Sequence, residues 1–265
     1  MIKKECFTTE WIEQVSSELH YNDKNLIEKV IRALSLLEML VKAGCPLVFK
    51  GGTALMLILG KSAHRLSIDI DVICPPGTNI EDYLKSFADF GFINLELVER
   101  KQRDDADIPK SHSKFFYQIA YRNDTDAQSY ILLDVLYEDI HYFRTQQIAI
   151  DCPFIRLEGE PLMVTVPSAE DILGDKLTAF APNTTGIPYY KNDRSCSMEI
   201  AKQLYDVGRL FENVSGLQIT ADAFRKIAAV ELSYRSLGTD VGQVFHDIRQ
   251  TALCISTPVS YTHLR

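Results

Sequence analysis

A glycine pair closes a short apolar strand in Leu47-Val48-Phe49-Lys50-Gly51-Gly52. Less than twenty positions later come two aspartates one residue apart, in Arg65-Leu66-Ser67-Ile68-Asp69-Ile70-Asp71-Val72-Ile73. No other stretch constrains the fold as much. Alternate side chains of a strand share a face, so Asp69 and Asp71 point one way while Ile68, Ile70 and Val72 point into a core. Two carboxylates side by side repel and stay ionised together only with positive charge between them. A divalent cation with a taste for hard oxygen ligands, Mg2+, meets that need.

The glycines supply the other half of the pattern. The strand runs straight into Gly51-Gly52, and a helix-compatible stretch, Thr53 to Leu59, follows at once. A helix start presents backbone N–H groups and the positive end of its dipole to an anion. Glycine removes the side chain that would keep a phosphate away from that backbone. A phosphate cradle beside paired carboxylates is the layout of metal-assisted phosphoryl or nucleotidyl transfer.

Further along, the sequence reads Asp171-Ile172-Leu173-Gly174-Asp175-Lys176-Leu177-Thr178-Ala179-Phe180 and then Lys202-Gln203-Leu204-Tyr205-Asp206-Val207-Gly208-Arg209-Leu210. Together with Phe49 to Leu55, Arg65, Ser67, Asp69 and Asp71, these runs resemble, in order, the motifs of the AbiEii/AbiGii nucleotidyltransferase toxins of the polymerase-β-like superfamily. The resemblance spans roughly residues 25 to 212. It implies an α+β fold, a polymerase-β-like mixed sheet with helices followed by a C-terminal helical domain. It also implies a lysine, Lys176, that contacts the triphosphate, and an aspartate, Asp206, close to it. Polymerase-β-like enzymes resemble one another in using a third carboxylate from a neighbouring strand. Asp134, a charge inside the apolar run Ile131-Leu132-Leu133-Asp134-Val135-Leu136 that is costly to bury without a partner, is read as that carboxylate, or else as a strand-end aspartate paired with a base. Such enzymes act as toxins paired with an antitoxin, and some modify tRNA acceptor ends.

The chemistry then expected is in-line attack by an acceptor hydroxyl on the α-phosphate of an NTP, with pyrophosphate leaving. Asp69, Asp71 and Asp134 form the metal set, with Asp134 also helping to ionise the hydroxyl. Gly51, Gly52, Thr53 and Ser67 line the nucleotide, and Lys176 neutralises developing charge. Lys50 and Arg65 either touch phosphate or balance the aspartates. The acceptor could equally be a small molecule or a protein side chain, since the same site chemistry serves all three. A non-catalytic nucleotide-binding module would be expected to lose one carboxylate, and Asp69-Ile70-Asp71 is intact.

Composition is consistent with this. A chain of 265 residues, 46% hydrophobic and 24% charged, can bury a full core. Its apolar runs stop short of a membrane span and no apolar signal segment follows Met1-Ile2-Lys3-Lys4-Glu5, so the cytoplasm is expected. The six cysteines lack metal-ligand spacing and read as reduced structural thiols, with no zinc and no disulfide. A net charge of −8 does not suit a polyanion partner. Local basic stretches at Arg100-Lys101-Gln102-Arg103 and in the loop Lys110-Ser111-His112-Ser113-Lys114 are the candidates for meeting one, or else solvated loops. The six histidines show no ligand or nucleophile constellation.

Periodicity divides the chain at Pro167-Ser168. Residues 1–167 read as a nucleotidyltransferase α/β domain with N-terminal helices. A helix capped at Asn22 or Asp23 runs to Gly44, and another from Asn79 to Phe90. Strands are expected at Ile93 to Val98, Phe115 to Tyr121, Tyr130 to Tyr137 and Leu162 to Val166. Residues 168–255 read as helical, with helices over 169–180, 195–212, 220–236 and 240–253. The first of these is capped by Ser168 with Asp171 three positions on. Residues 256–265 break the pattern and read either as a tail or as foreign sequence.

Overall fold

A computed structural model of the chain describes residues 1–63, 65–98, 108–120, 127–235, 238 and 240–257. The strand, glycine turn and helix of the opening motif form as β1 (Val48–Lys50) and α3 (Gly51–Leu59), preceded by α1 (Thr9–Leu19) and α2 (Lys24–Lys42). Asp23 caps α2 by accepting from Leu26 N at 3.0 Å, and Gly44 ends the segment at φ +76°. The whole apolar stripe of α2, from Ile27 to Leu40, is buried. It covers one face of a five-stranded sheet.

That sheet is mixed, which bears out the expected α+β class. It comprises β1, β2 (Ile70–Cys74), β3 (Asn94–Val98), β4 (Lys110–Gln118) and β5 (Gln128–Tyr137) in the order β1-β2-β5-β4-β3. Only β2 and β5 run parallel; the other pairings are antiparallel. Alternation along the strands sorts the faces. Ile70 and Val72, Ile131, Leu133 and Val135, and Phe115 and Tyr117 enter the core with α2. Asp71, Asp134 and His112 take the other face. A separate hairpin-like pair, β6 (Thr145–Ala149) and β7 (Met163–Pro167), adds to the same unit.

The chain divides into two compact units, the first taking in most residues up to Pro167 and the second Ser168 onward together with His141–Arg144. The second holds α4 (Ala169–Ala179), a two-stranded ribbon β8 (Tyr190–Lys191) and β9 (Arg194–Ser195), α5 (Ser197–Phe211), α6 (Gln218–Ser233) and α7 (Val241–Ser256). α4 packs closely on α6: a Cβ on Gly174 would sit 2.8 Å from Phe224 N and 2.9 Å from Thr220 O. Glycine is what lets the two backbones approach. No described helix is long and apolar enough to cross a membrane.

Several local expectations are corrected. The helix expected from Asn79 to Phe90 is two single 3-10 turns, Ile80–Tyr83 and Phe87–Phe90. Side chains of α2 hold the end of the segment: Ser35 Oγ donates to Phe90 O and Arg32 Nη1 to Gly91 O, each at 3.2 Å, supplying partners to carbonyls that a helix end leaves open. The expected loop 110–114 is instead the first half of β4. Its Ser111, Ser113 and lysines alternate between faces, a pattern hidden by the weak strand propensity of lysine and serine. The ribbon β8–β9 was not anticipated, although Asn192 and Asp193 at φ +49° and +60° are the residue types that a two-residue hairpin turn accepts. The basic stretch 100–103 and residues 258–265 lie outside the described residues.

Ser168 does cap α4, accepting from Asp171 N at 3.1 Å, but the carboxylate does not answer in the usual capping-box way. Asp171, fully buried, accepts instead from Phe143 N at 2.7 Å, Arg144 N at 3.0 Å and Ser168 Oγ at 2.7 Å. It thereby ties residues 143–144 to the helix start.

Candidate active site

Register assembles the site. Asp71 on β2 lies opposite Lys50 on β1 and opposite Asp134 on β5, and Asp134 in turn lies opposite His112 on β4. Paired residues share a face, so Lys50, Asp71, Asp134 and His112 form one row across the sheet. Two carboxylates stand at its centre. His112 Nδ1 is 2.5 Å from Asp134 Oδ1, with the ring mostly shielded at 12% exposure and the carboxyl at 28%. An ionised carboxylate can only accept, so Nδ1 carries the proton in that pairing.

Asp69 is solvent-exposed and precedes β2, which begins at Ile70, rather than lying within it. Its carbonyl accepts from the fully buried Thr53 Oγ1 at 2.7 Å, which ties the start of α3 to the aspartate segment. The Thr53 hydroxyl proton is therefore engaged within the protein, which leaves the backbone at Thr53 as the part that could line a nucleotide.

The glycine turn shows why glycine is required. Gly51 has φ +80°, and a Cβ there would come 2.0 Å from Asp71 Oδ2. At Gly52 a Cβ would come 2.6 Å from Ser67 Oγ and 3.0 Å from Arg65 Nη2. The missing side chains make room for a carboxylate, a hydroxyl and a guanidinium of the chain itself. Gly51, Gly52, Arg65, Ser67 and Asp71 are thus brought together, with Asp69 joined to them through Thr53.

Lys176 and Asp206 lie in the second unit, and they meet. Lys176 Nζ on α4 is 3.0 Å from Asp206 Oδ2 on α5 and donates to Gln203 Oε1 at 3.1 Å. Their side chains are 12% and 1% exposed, so the pair is largely shielded from water.

Among the described residues no three His, Cys, Asp or Glu side chains converge closely enough to hold a metal by themselves. The donor set nonetheless fits a hard divalent cation, since Mg2+ binds through one or two carboxylates and takes its other ligands from phosphate and water. Asp71 and Asp134, adjacent on one face, are such a pair. His112 is the residue that sequence reasoning missed. Its position in the polar run Lys110 to Lys114 carries no local signal; only the pairing of β4 with β5 brings it to Asp134.

A sequence model described as nucleotidyl transferase AbiEii toxin, type IV toxin–antitoxin system, matches residues 33–252. Solved structures similar to the chain include JHP933 from Helicobacter pylori, at 16% identity and a TM-score of 0.43, covering 96% of this chain and 93% of that one. Another, from H. pylori and described as a proposed nucleotidyltransferase, has 18% identity and a TM-score of 0.34, covering 88% and 92%. No curated protein matches the chain.

Proposed function

The chain belongs to the AbiEii family of nucleotidyl transferase toxins, and we propose that it moves a nucleoside monophosphate from an NTP to an acceptor hydroxyl, releasing pyrophosphate. The observation that carries this reading is the Asp71 and Asp134 pair, adjacent in register on one sheet face and edged by the Gly51-Gly52 turn. A bound divalent cation, Mg2+ in this reading, would neutralise charge on the α-phosphate and lower the pKa of the attacking hydroxyl. Asp69, Asp71 and Asp134 are the residues to hold it.

The remaining roles belong to the chain. Lys50, Arg65, Ser67 and the backbone at Gly51, Gly52 and Thr53 orient the triphosphate. Asp134 accepts the proton of the incoming hydroxyl, and the phosphorus–oxygen bond to pyrophosphate breaks as the new one forms. Lys176, held by Asp206, stabilises charge on the departing phosphates as a point charge. The acceptor proposed is tRNA, in the cytoplasm, and the partner a cognate antitoxin.

The test is transfer of label from each α-labelled NTP to total cell RNA or protein in the presence of Mg2+. Asp69→Asn and Asp71→Asn are expected to lower transfer by ~10^2-fold or more, the scale of removing a comparable electrostatic group. Near wild-type transfer in both, with circular dichroism unchanged, overturns the reading.

A further inference from the structure

The Asp134 carboxylate is held by a partner on the far side from Asp71. Across the sheet, β5 stands between β2 and β4, so Asp134 has Asp71 as one registered neighbour and His112 as the other. A carboxylate beside a like charge on an adjacent strand is repelled and has more than one staggered rotamer open to it. The 2.5 Å contact from His112 Nδ1 to Oδ1 removes that freedom. Among the described residues it is the hydrogen bond that Asp134 makes, and the ring itself is mostly buried. With Oδ1 committed, Oδ2 is the oxygen left for a cation or a hydroxyl.

We propose that His112 is a positioning residue, whose Nδ1–H fixes Asp134 so that Oδ2 is presented for the divalent cation and the acceptor hydroxyl. This rests on the reading of Asp134 as the third carboxylate. Groups that orient a ligating side chain in this way change metal affinity or activity by roughly 10–100-fold when removed.

The experiment uses the full chain and three variants, His112→Ala, His112→Asn and Asp134→Asn, with thermal melts to confirm folding. Asparagine can place an amide N–H close to where Nδ1 sits, so it is the conservative replacement. Mn2+ affinity is read by electron paramagnetic resonance with a non-hydrolysable NTP analogue. The kcat and the KM for NTP are read from label transfer to total RNA. His112→Ala is expected to weaken Mn2+ binding and lower kcat by ~10-fold or more, with KM for NTP little changed, and His112→Asn to restore most of both. His112→Ala with wild-type Mn2+ affinity and kcat, beside an inactive Asp134→Asn, overturns the proposal alone. So does His112→Asn as impaired as His112→Ala while both fold. A fully active Asp134→Asn overturns the reading of Asp134, and the proposal with it.

Discussion

The Cβ that Gly51 lacks would lie 2.0 Å from Asp71 Oδ2, so the glycine turn and the central carboxylate occupy a single shared space. A residue known for backbone freedom here also does the steric work of seating an acid. Chain conformation and site chemistry are coupled through that contact.

Gly51→Ala therefore carries two costs, a side chain at φ +80° and a displaced Asp71. Gly44→Ala, at φ +76° with nothing within 4 Å of its Cβ, carries only the first. Both variants are expected to lose about 1–2 kcal/mol of stability from backbone strain, read by urea denaturation. Only Gly51→Ala should lose transfer, by ~10^2-fold, as for loss of an electrostatic group. Equal transfer by the two variants would separate the turn from the chemistry.

At Gly52 the neighbours are side-chain ends, the Ser67 hydroxyl and the Arg65 guanidinium, which can shift. Gly52→Val should fold, but with those groups pushed aside it should bind NTP more weakly. Calorimetry giving wild-type affinity would place the triphosphate elsewhere.

The shielded pair of Lys176 and Asp206 should behave as a unit. Lys176→Met removes the ammonium 3.0 Å from Asp206, whose side chain is 1% exposed, and is expected to cost about 1.5–3 kcal/mol, the scale of losing a hydrogen bond to a charged group. Replacing both by apolar residues should cost less than the sum of the single changes. All three variants should lose transfer. Additive stability losses in denaturant melts would contradict the coupling, and full transfer by Lys176→Met would remove the lysine from the mechanism.

Glu38 gives a pH dependence outside the site. Burial raises its carboxyl above the ordinary glutamate range, although Ile2 N donates to both oxygens at 2.9 and 3.2 Å. Between the ordinary value and the raised one, the folded chain binds more protons than the unfolded chain. Stability attributable to this group therefore falls as pH rises through that window. Glu38→Gln should flatten that part of the stability profile measured by thermal melts; an unchanged slope would assign it to other groups.

Gly174 tests the helical unit. A Cβ there meets Phe224 N, Ala223 Cβ and Thr220 O, all within 2.9 Å, and none is the loose end of a side chain. Gly174→Ala should force α4 from α6 and cost about 1–3 kcal/mol by overpacking. A wild-type melting temperature would mean the helices separate freely.

Local chemistry was legible in the amino-acid order. Alternation placed Ile70 and Val72 in the core and Asp71 on the opposite face, while Asp23 and Ser168 announced the helices they cap. Such signals are carried by near neighbours, because strand and helix periods repeat within a few residues. Which strands lie side by side, and in what register, depends on how the whole core packs. Only the tertiary structure could therefore set Asp134 beside Asp71, bring His112 from a stretch that reads as a loop onto Asp134, and fill the space at the two glycines with Asp71, Ser67 and Arg65. The same holds for the segment from Asn79 to Phe90, whose pattern suits a helix. It folds as two short 3-10 turns, and Ser35 and Arg32, more than fifty residues away in sequence, bond the carbonyls of Phe90 and Gly91 at its end.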